Sequence, residues 1–456
     1  MKEIDKKSAI HPIDYRYGSE EIRKIFSVEK FYKTMAYIEY VVIMKQEKYG
    51  IIPKGVSDAL KKVIETLNVL DIFEEEKRTK HDIMALINVL ARKLGRYGEY
   101  LHIGLTSADL RDTAKVLIIR ESLTIIEEKV IRLIKILLDL AKRYIDLPCV
   151  ARTHGMHATI YLFGRKFVIF ADEFMRHFER LQECKKRIYV GKISGSVGIH
   201  SGLGEIGEKI EKEVLDELGL KVDINATQIL SRDRFAEIFF ILTLISTSLD
   251  KLATEIRNLQ RTEIGELEEE FGKTQIGSTA MPHKKNPISA ENICSLARVL
   301  RGLLLTSLEN IVLWHERDLT NSGSERILLP EFFVILDEQL AKMINILSRI
   351  SINKKKIIRN IEMTQGMIFS DILVTKLALR GLGRQRAHEL IRLISMECYE
   401  KNKDFITTIK ENPEIKKYLS ETEIEEIFEP NKHLSVAKKR TLETIKKIEE
   451  KIENRS

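Results

Sequence analysis

The sequence predicts an all-α protein organised around long helices. Proline is rare, at 8 of 456 residues, and none occurs between 149 and 281. Glycine is also low, at 23. Within the proline-free stretch apolar residues recur at alternating steps of three and four, the period of a helix that buries one seam. One such seam is Phe235, Ile238, Leu242, Ile245, Leu249, Leu252, Ile256 and Leu259.

A second seam runs through Val116, Ile119, Leu123, Ile126, Val130, Leu133, Leu137, Leu140 and Tyr144. A third follows Ile160, Phe163, Phe167, Phe170, Phe174, His177, Leu181, Cys184 and Ile188. Helices of about 25 to 30 residues are expected there, each roughly 40 Å long. The helix of the second seam carries another apolar stripe, Ile118, Ile125, Ile134, Leu138 and Ile145. A helix apolar on two sides must be covered on two sides, and long helices packed between subunits would do so. Shorter amphipathic segments, broken at Tyr49-Gly50 and Pro53, precede this middle region, and a charged helix ends the chain. The expected division is an N-terminal helical domain (1–108), a central long-helix domain (109–352) and a C-terminal helical domain (353–456). No repeat or low-complexity linker separates them.

Composition narrows the function. The hydrophobic fraction is 44% and the charged fraction 31%, as in ordinary soluble proteins. The N-terminus has no apolar core or cleavage site, so no signal peptide is expected. The longest charge-free apolar run, Ile238 to Leu249, falls short of the ~20 residues a bilayer needs. Four cysteines (149, 184, 294, 398) lie far apart without a CxxC pair, suggesting neither a disulfide framework nor a zinc site and pointing to the cytoplasm. The net charge of +7 is mild and not interleaved with base-stacking aromatics. That argues against nucleic acid and suits an anionic small substrate.

Chemistry is expected where helical periodicity gives way to groups that move protons or hold anions. Six polar islands qualify: DYRYG (14–18), TKHD (79–82), LHIGLTSAD (101–109), ARTHGMHA (151–158), GSTAMPHKKNP (277–287) and WHERDLTNSGSER (314–326). In the fifth, Gly272 and Gly277 give freedom at one end while Pro282 and Pro287 stiffen the other. Lys284, Lys285 and Asn286 can donate to an anion. They suit a serine, Ser278, whose alkoxide needs such stabilisation to act as a base, although a plain surface turn has similar composition. His154 is a candidate acid or base, or a packing histidine. His157 lies at metal-ligand spacing from it, but no Cys or carboxylate nearby completes a zinc set. His81 and His102 are equally compatible with helix-capping neighbourhoods.

The order of these islands, together with KISGSVG (192–198) and TQILSRDR (227–234), resembles the fumarase/aspartase superfamily, whose signature loop has the pattern GSSxMPxKxNP. The WHERD, RTHG and TQ segments are similar to the branch acting on succinylated purine nucleotides. The resemblance spans nearly the whole chain. It implies three helical domains, with central helices joining a homotetramer core and active sites shared between subunits. It also implies elimination of fumarate from a succinyl-amine without metal or organic cofactor. By position it makes Ser278 the base and His154 the acid. Thr279, Lys284, Asn286 and Gln228 would hold the succinyl carboxylates. Lys80, His81, Asp82, Thr106 and Ser107 would surround the succinyl and phosphate ends, and Arg16, Tyr17, Arg317, Ser322 and Arg326 the nucleotide and its phosphate. Guanidinium forks suit that last task. Two positions depart from the pattern: Lys80 stands where arginine is frequent, and Thr279 replaces a second serine while keeping its hydroxyl. The superfamily's carboxymuconate cycloisomerases have a closely similar signature loop. A small dicarboxylate, however, requires no phosphate-type cations like Arg16, Arg317 and Arg326. A catalytically silent structural protein on this scaffold would have no use for both Ser278 and His154.

Overall fold

The computed structural model describes residues 9–272 and 280–454. Over these the chain is helical, apart from three two-stranded sheets. In chain order, the elements that matter for function begin with α1 (Val28–Lys48), α2 (Val69–Thr79), α3 (Asp82–Leu94) and the 37-residue α4 (Ser107–Arg143). A hairpin follows, β1 (Pro148–Thr153) and β2 (Met156–Leu162). The remaining long helices are α5 (Phe163–Ile188), α6 (Asp233–Leu259), α7 (Ile288–Glu309) and α8 (Thr320–Arg349).

The predicted seams lie on buried faces. Leu123, Ile126, Val130, Leu133 and Leu137 on α4, and Ile238, Leu242, Ile245 and Leu249 on α6, are all fully buried. Three features differ from expectation. The third seam starts at Phe163, because Ile160 belongs to β2. The second stripe on α4 is already covered within this chain: Ile118, Ile125, Ile134 and Leu138 are at most 7% exposed. That stripe therefore gives no argument for a partner subunit. Finally, α7 and α8 are long helices that the periodicity did not mark, and the 30-residue α8 is the longer of the two. Helix α8 starts within a polar island and carries Pro330 in its interior.

The chain forms two compact units. The first comprises residues up to Val130, His177–Leu249 and Ser295–Ala341. Phe239 and Phe332 stack in it at 4.4 Å between ring centres. Its centre also holds a buried charge lattice. Arg232 donates to Asp112 at 2.6 Å and to Glu325 at 2.7 Å, Lys115 donates to Glu325, and Asn321 donates to Glu325 at 2.6 Å. Two cations balance two carboxylates, which is what makes such burial tolerable. Burial opposes ionisation of Asp112, but Arg232 and Lys115 outweigh it and hold its carboxyl well below the usual range. Glu325 is lowered for the same reason, by Lys115 and Arg232 against burial.

The second unit comprises Ile131–Arg176, Asp250–Cys294 and the chain from Lys342 onward. Val150, Ile160 and Leu162 of the hairpin join a cluster with Leu373, Leu377, Phe405 and Ile409 of the C-terminal helices. The hairpin is thereby anchored through its apolar face, leaving its polar tip free of packing duties.

Candidate active site

In the first unit the polar islands converge through helix starts. Asp109 organises two of them. Its carboxylate accepts the amide of Thr106 at 2.7 Å, capping α4, and the amide of Gly195 at 3.2 Å, while fully buried Lys192 donates to it. Buried Glu39 on α1 ties down the same loop, accepting the amide of His102 at 2.5 Å and facing its Nδ1 at 3.1 Å. Burial disfavours the charged ring of His102, but the Glu39 carboxylate prevails and raises it. His102 is thus structural.

His81 is itself the N-cap of α3, its Nδ1 accepting from the amide of Met84 at 3.3 Å. Its Nε2 stands 3.4 Å from Ser107 Oγ. Lys80, exposed, closes α2 in a left-handed conformation at φ 54°. Asp82 opens α3 and accepts from Arg111 at 2.6 Å and Arg326 at 2.9 Å. Burial alone would raise its carboxyl, but the two guanidiniums and the Ile83 amide hold it below the usual range. Asp82, Arg111, Ser322 and Arg326 line one cavity of about 320 Å³, whose other walls include Phe26, Phe31 and Phe73.

Gln228 and Arg317 also meet: the guanidinium donates to Gln228 Oε1 at 2.8 Å. Arg317 Nε is buried and has no hydrogen-bond partner among the described residues. Burial accordingly lowers the proton affinity of this guanidinium. A half-buried cation with a spare donor is suited to an anion that the protein does not itself supply. Asp318 shapes the segment, accepting the amides of Trp314 and Thr320 at 2.8 Å each. Arg16 is exposed and Tyr17 half-buried in a turn fixed to α8, where Asp337 accepts the amide of Ser19 at 2.7 Å and Glu338 that of Gly18 at 2.9 Å. Gly18 has φ 76°, and an added Cβ would lie 2.7 Å from Val334, so glycine is required there.

In the second unit His154 occupies the hairpin tip. Thr153 pairs with Met156, leaving His154 and Gly155 as a two-residue turn with φ 55° and 79°. Positive φ at both positions is the mark of the type I′ turn, which matches the twist of the strands. His154 is exposed. Beneath it, Arg152 donates to fully buried Glu266 at 2.6 Å, and Asn360 donates to the same oxygen at 2.8 Å. His157, opposite Arg152, has its pKa pushed down by burial and by that guanidinium. Lys284 is exposed and Asn286 half-buried, in a segment held by Gln260, which donates to Lys285 O at 3.2 Å and accepts from the Glu269 amide at 3.0 Å. Glu269 caps α7, accepting from Ala290 at 2.8 Å. Ser278 and Thr279 lie outside the described residues.

Comparison with known proteins shows the family. A family model described as Lyase matches residues 11–302, and one described as Adenylosuccinate lyase C-terminus matches 366–442. The adenylosuccinate lyase of Pyrococcus abyssi is 43% identical over 97% of this chain and 98% of its own. The chain belongs to the adenylosuccinate lyase family. The adenylosuccinate lyase of Methanocaldococcus jannaschii is likewise 43% identical, over 98% of this chain and 97% of its own. Among solved structures, the 3-carboxy-cis,cis-muconate lactonizing enzyme of Pseudomonas putida superposes with a TM-score of 0.87 at 26% identity, covering 95% of this chain and 98% of that one. A fumarate lyase from Mesorhizobium sp. BNC1 gives 0.86 at 27%, covering 94% and 98%. As a member of the adenylosuccinate lyase family, the chain is a carbon–nitrogen lyase on an all-α fold.

Sequence reasoning missed Arg111 and Glu266. Arg111 had a signal, a charge inside the LTSADLRDTAK run just after Ser107. Glu266 had none, as one acid among several in GELEEE.

Proposed function

We propose that this lyase eliminates fumarate from adenylosuccinate, giving AMP, and from the succinylated aminoimidazole carboxamide ribotide, SAICAR, giving AICAR. Ser278 takes the proton from the carbon beside a succinyl carboxylate. The carbon–nitrogen bond then breaks as the fumarate double bond forms, and His154 returns a proton to the departing nitrogen. Donors facing the developing dianion set the rate of such a step, the role given to Thr279, Lys284, Asn286 and Gln228. Lys80, His81, Asp82, Thr106 and Ser107 surround the substrate, and Arg16, Tyr17, Arg317, Ser322 and Arg326 take the nucleotide and its phosphate. The observation that carries the nucleotide reading is Arg317 with its buried, unpartnered Nε. The higher identity to relatives named adenylosuccinate lyase than to the muconate enzyme supports the same choice.

The test is kcat/KM for adenylosuccinate, SAICAR, the dephosphorylated nucleoside form, argininosuccinate and carboxymuconate at one salt concentration. The first two are expected to dominate. Equal values with and without phosphate would remove the nucleotide reading, and faster turnover of argininosuccinate or carboxymuconate would move the chain to another branch.

The assembly proposed is a cytoplasmic homotetramer with sites shared between chains. It is supported by exposed apolar side chains on and after α7, namely Val299, Leu305, Leu308, Val312 and Trp314. Exposed apolar side chains in such number along one segment suit burial against another subunit. Mixing inactive Ser278→Ala and His154→Ala subunits is expected to restore partial activity. No recovery after verified exchange would place both groups on one chain.

A further inference from the structure

Asp82 has two guanidinium partners of unequal standing. Arg111 donates to Oδ1 at 2.6 Å, and both of those side chains are only 13% exposed. The Ile83 amide donates to the same oxygen at 2.8 Å. Arg326 donates to Oδ2 at 2.9 Å from a side chain that is 62% exposed. All three side chains border the 320 Å³ cavity, with Ser322 beside them. A carboxylate this buried resists losing its last cation, because an unpaired buried charge is far costlier than a missing surface contact. With Arg111 in place, Arg326 is a second cation and therefore releasable.

We propose that Arg111 is a positioning residue that frees Arg326 to change partner. Arg326 pairs with Asp82 in the empty site and turns to the substrate phosphate in the filled one. Arg111 keeps Asp82 paired throughout. The proposal rests on the assignment of Arg326 to the phosphate made above. Without Arg111, Arg326 is the one guanidinium left to a mostly buried acid, with only the His81 ring 3.7 Å away besides, and the phosphate must compete for it.

The experiment measures KM and kcat for adenylosuccinate, and inhibition by AMP and by adenosine, in wild type, Arg111→Leu, Arg111→Lys, Arg326→Gln and the Arg111→Leu/Arg326→Gln double variant. Arg111→Leu should raise KM and the AMP inhibition constant by about tenfold or more, the weight of one charge-assisted contact. It should leave kcat within about twofold and adenosine inhibition unchanged, as expected when only ligand binding is affected. Arg111→Lys, which keeps the charge, should restore most of the AMP affinity. In the double variant the loss should equal that of Arg326→Gln alone, because Arg111 acts through Arg326. Equal weakening of AMP and adenosine, a lowered Tm with unchanged AMP affinity, or additive losses in the double variant would overturn the proposal. If the wild type itself binds AMP and adenosine equally, the phosphate reading of Arg326 fails and this inference falls with it. Discrimination in the wild type that survives in Arg111→Leu sinks the inference alone.

Discussion

The charge lattice of the first unit and the hairpin of the second hold functional groups in opposite ways. Asp82, Asp112 and Glu325 are each held by charged donors, mostly out of solvent. His154 stands exposed on a two-residue turn, with its supporting ion pair one layer below, at Arg152 and Glu266. Asp82, assigned to binding, is thus tied into the folding core, whereas His154, assigned to proton transfer, is decoupled from it. Stability and turnover should therefore fail separately.

The largest effect is expected from His154→Asn. Asn-Gly is the preferred pair for a type I′ turn, so the hairpin should fold at least as well, with an unchanged or raised Tm. Turnover should drop by about 10²–10⁴-fold, the usual weight of a general acid. A large fall in Tm would mean the ring is structural. Next in size, Arg232→Met leaves Asp112 and Glu325 with Lys115 alone. A loss of about 3–5 kcal/mol is expected in urea unfolding, since one partner is removed from a buried network. A loss below about 1 kcal/mol would show that the lattice is not the core of the unit.

Glu266→Gln should be milder and local. It removes the charge under the hairpin while keeping its shape and its hydrogen bond to Arg152. kcat should fall about tenfold with little change in KM, and hairpin amides should exchange faster; this size corresponds to the ~1.4 kcal/mol of one weakened contact. The smallest effect concerns pH. Asp82, Asp112 and Glu325 are all held below their ordinary values. Depressed acids contribute stability that is fully present above the unfolded values and is lost as pH falls through the folded ones. Tm should thus be flat from neutrality to about pH 5 and decline below about pH 4. A decline beginning near pH 6 would point to the histidines instead.

The long helices were legible because a seam of twenty-odd residues repeats its period many times. The hairpin was not, because Ile160 stands one helical step before Phe163 and extends that seam by coincidence. Its real signal was local: a His-Gly pair between β-rich runs, CVAR and HATIYL. The polar islands of the first unit were legible as candidates, and Asp82, Ser322 and Arg326 do meet, as do Gln228 and Arg317. The partner network was not. Which acid answers which cation depends on helix pairing across more than a hundred residues, as for Arg232 with Asp112. Linear spacing carries no such information.

Pro330 lies one turn after Arg326 on α8 and borders the same cavity. It has no amide to offer the carbonyl of Arg326, so the ladder of the helix is missing a rung just there. The helix is nevertheless held on both sides of that gap, by buried Asn321, Glu325 and Leu328 before it and by Phe332 and Phe333 after it. The guanidinium thus stands on a fixed mount, and a change of partner asks only the side chain to swing.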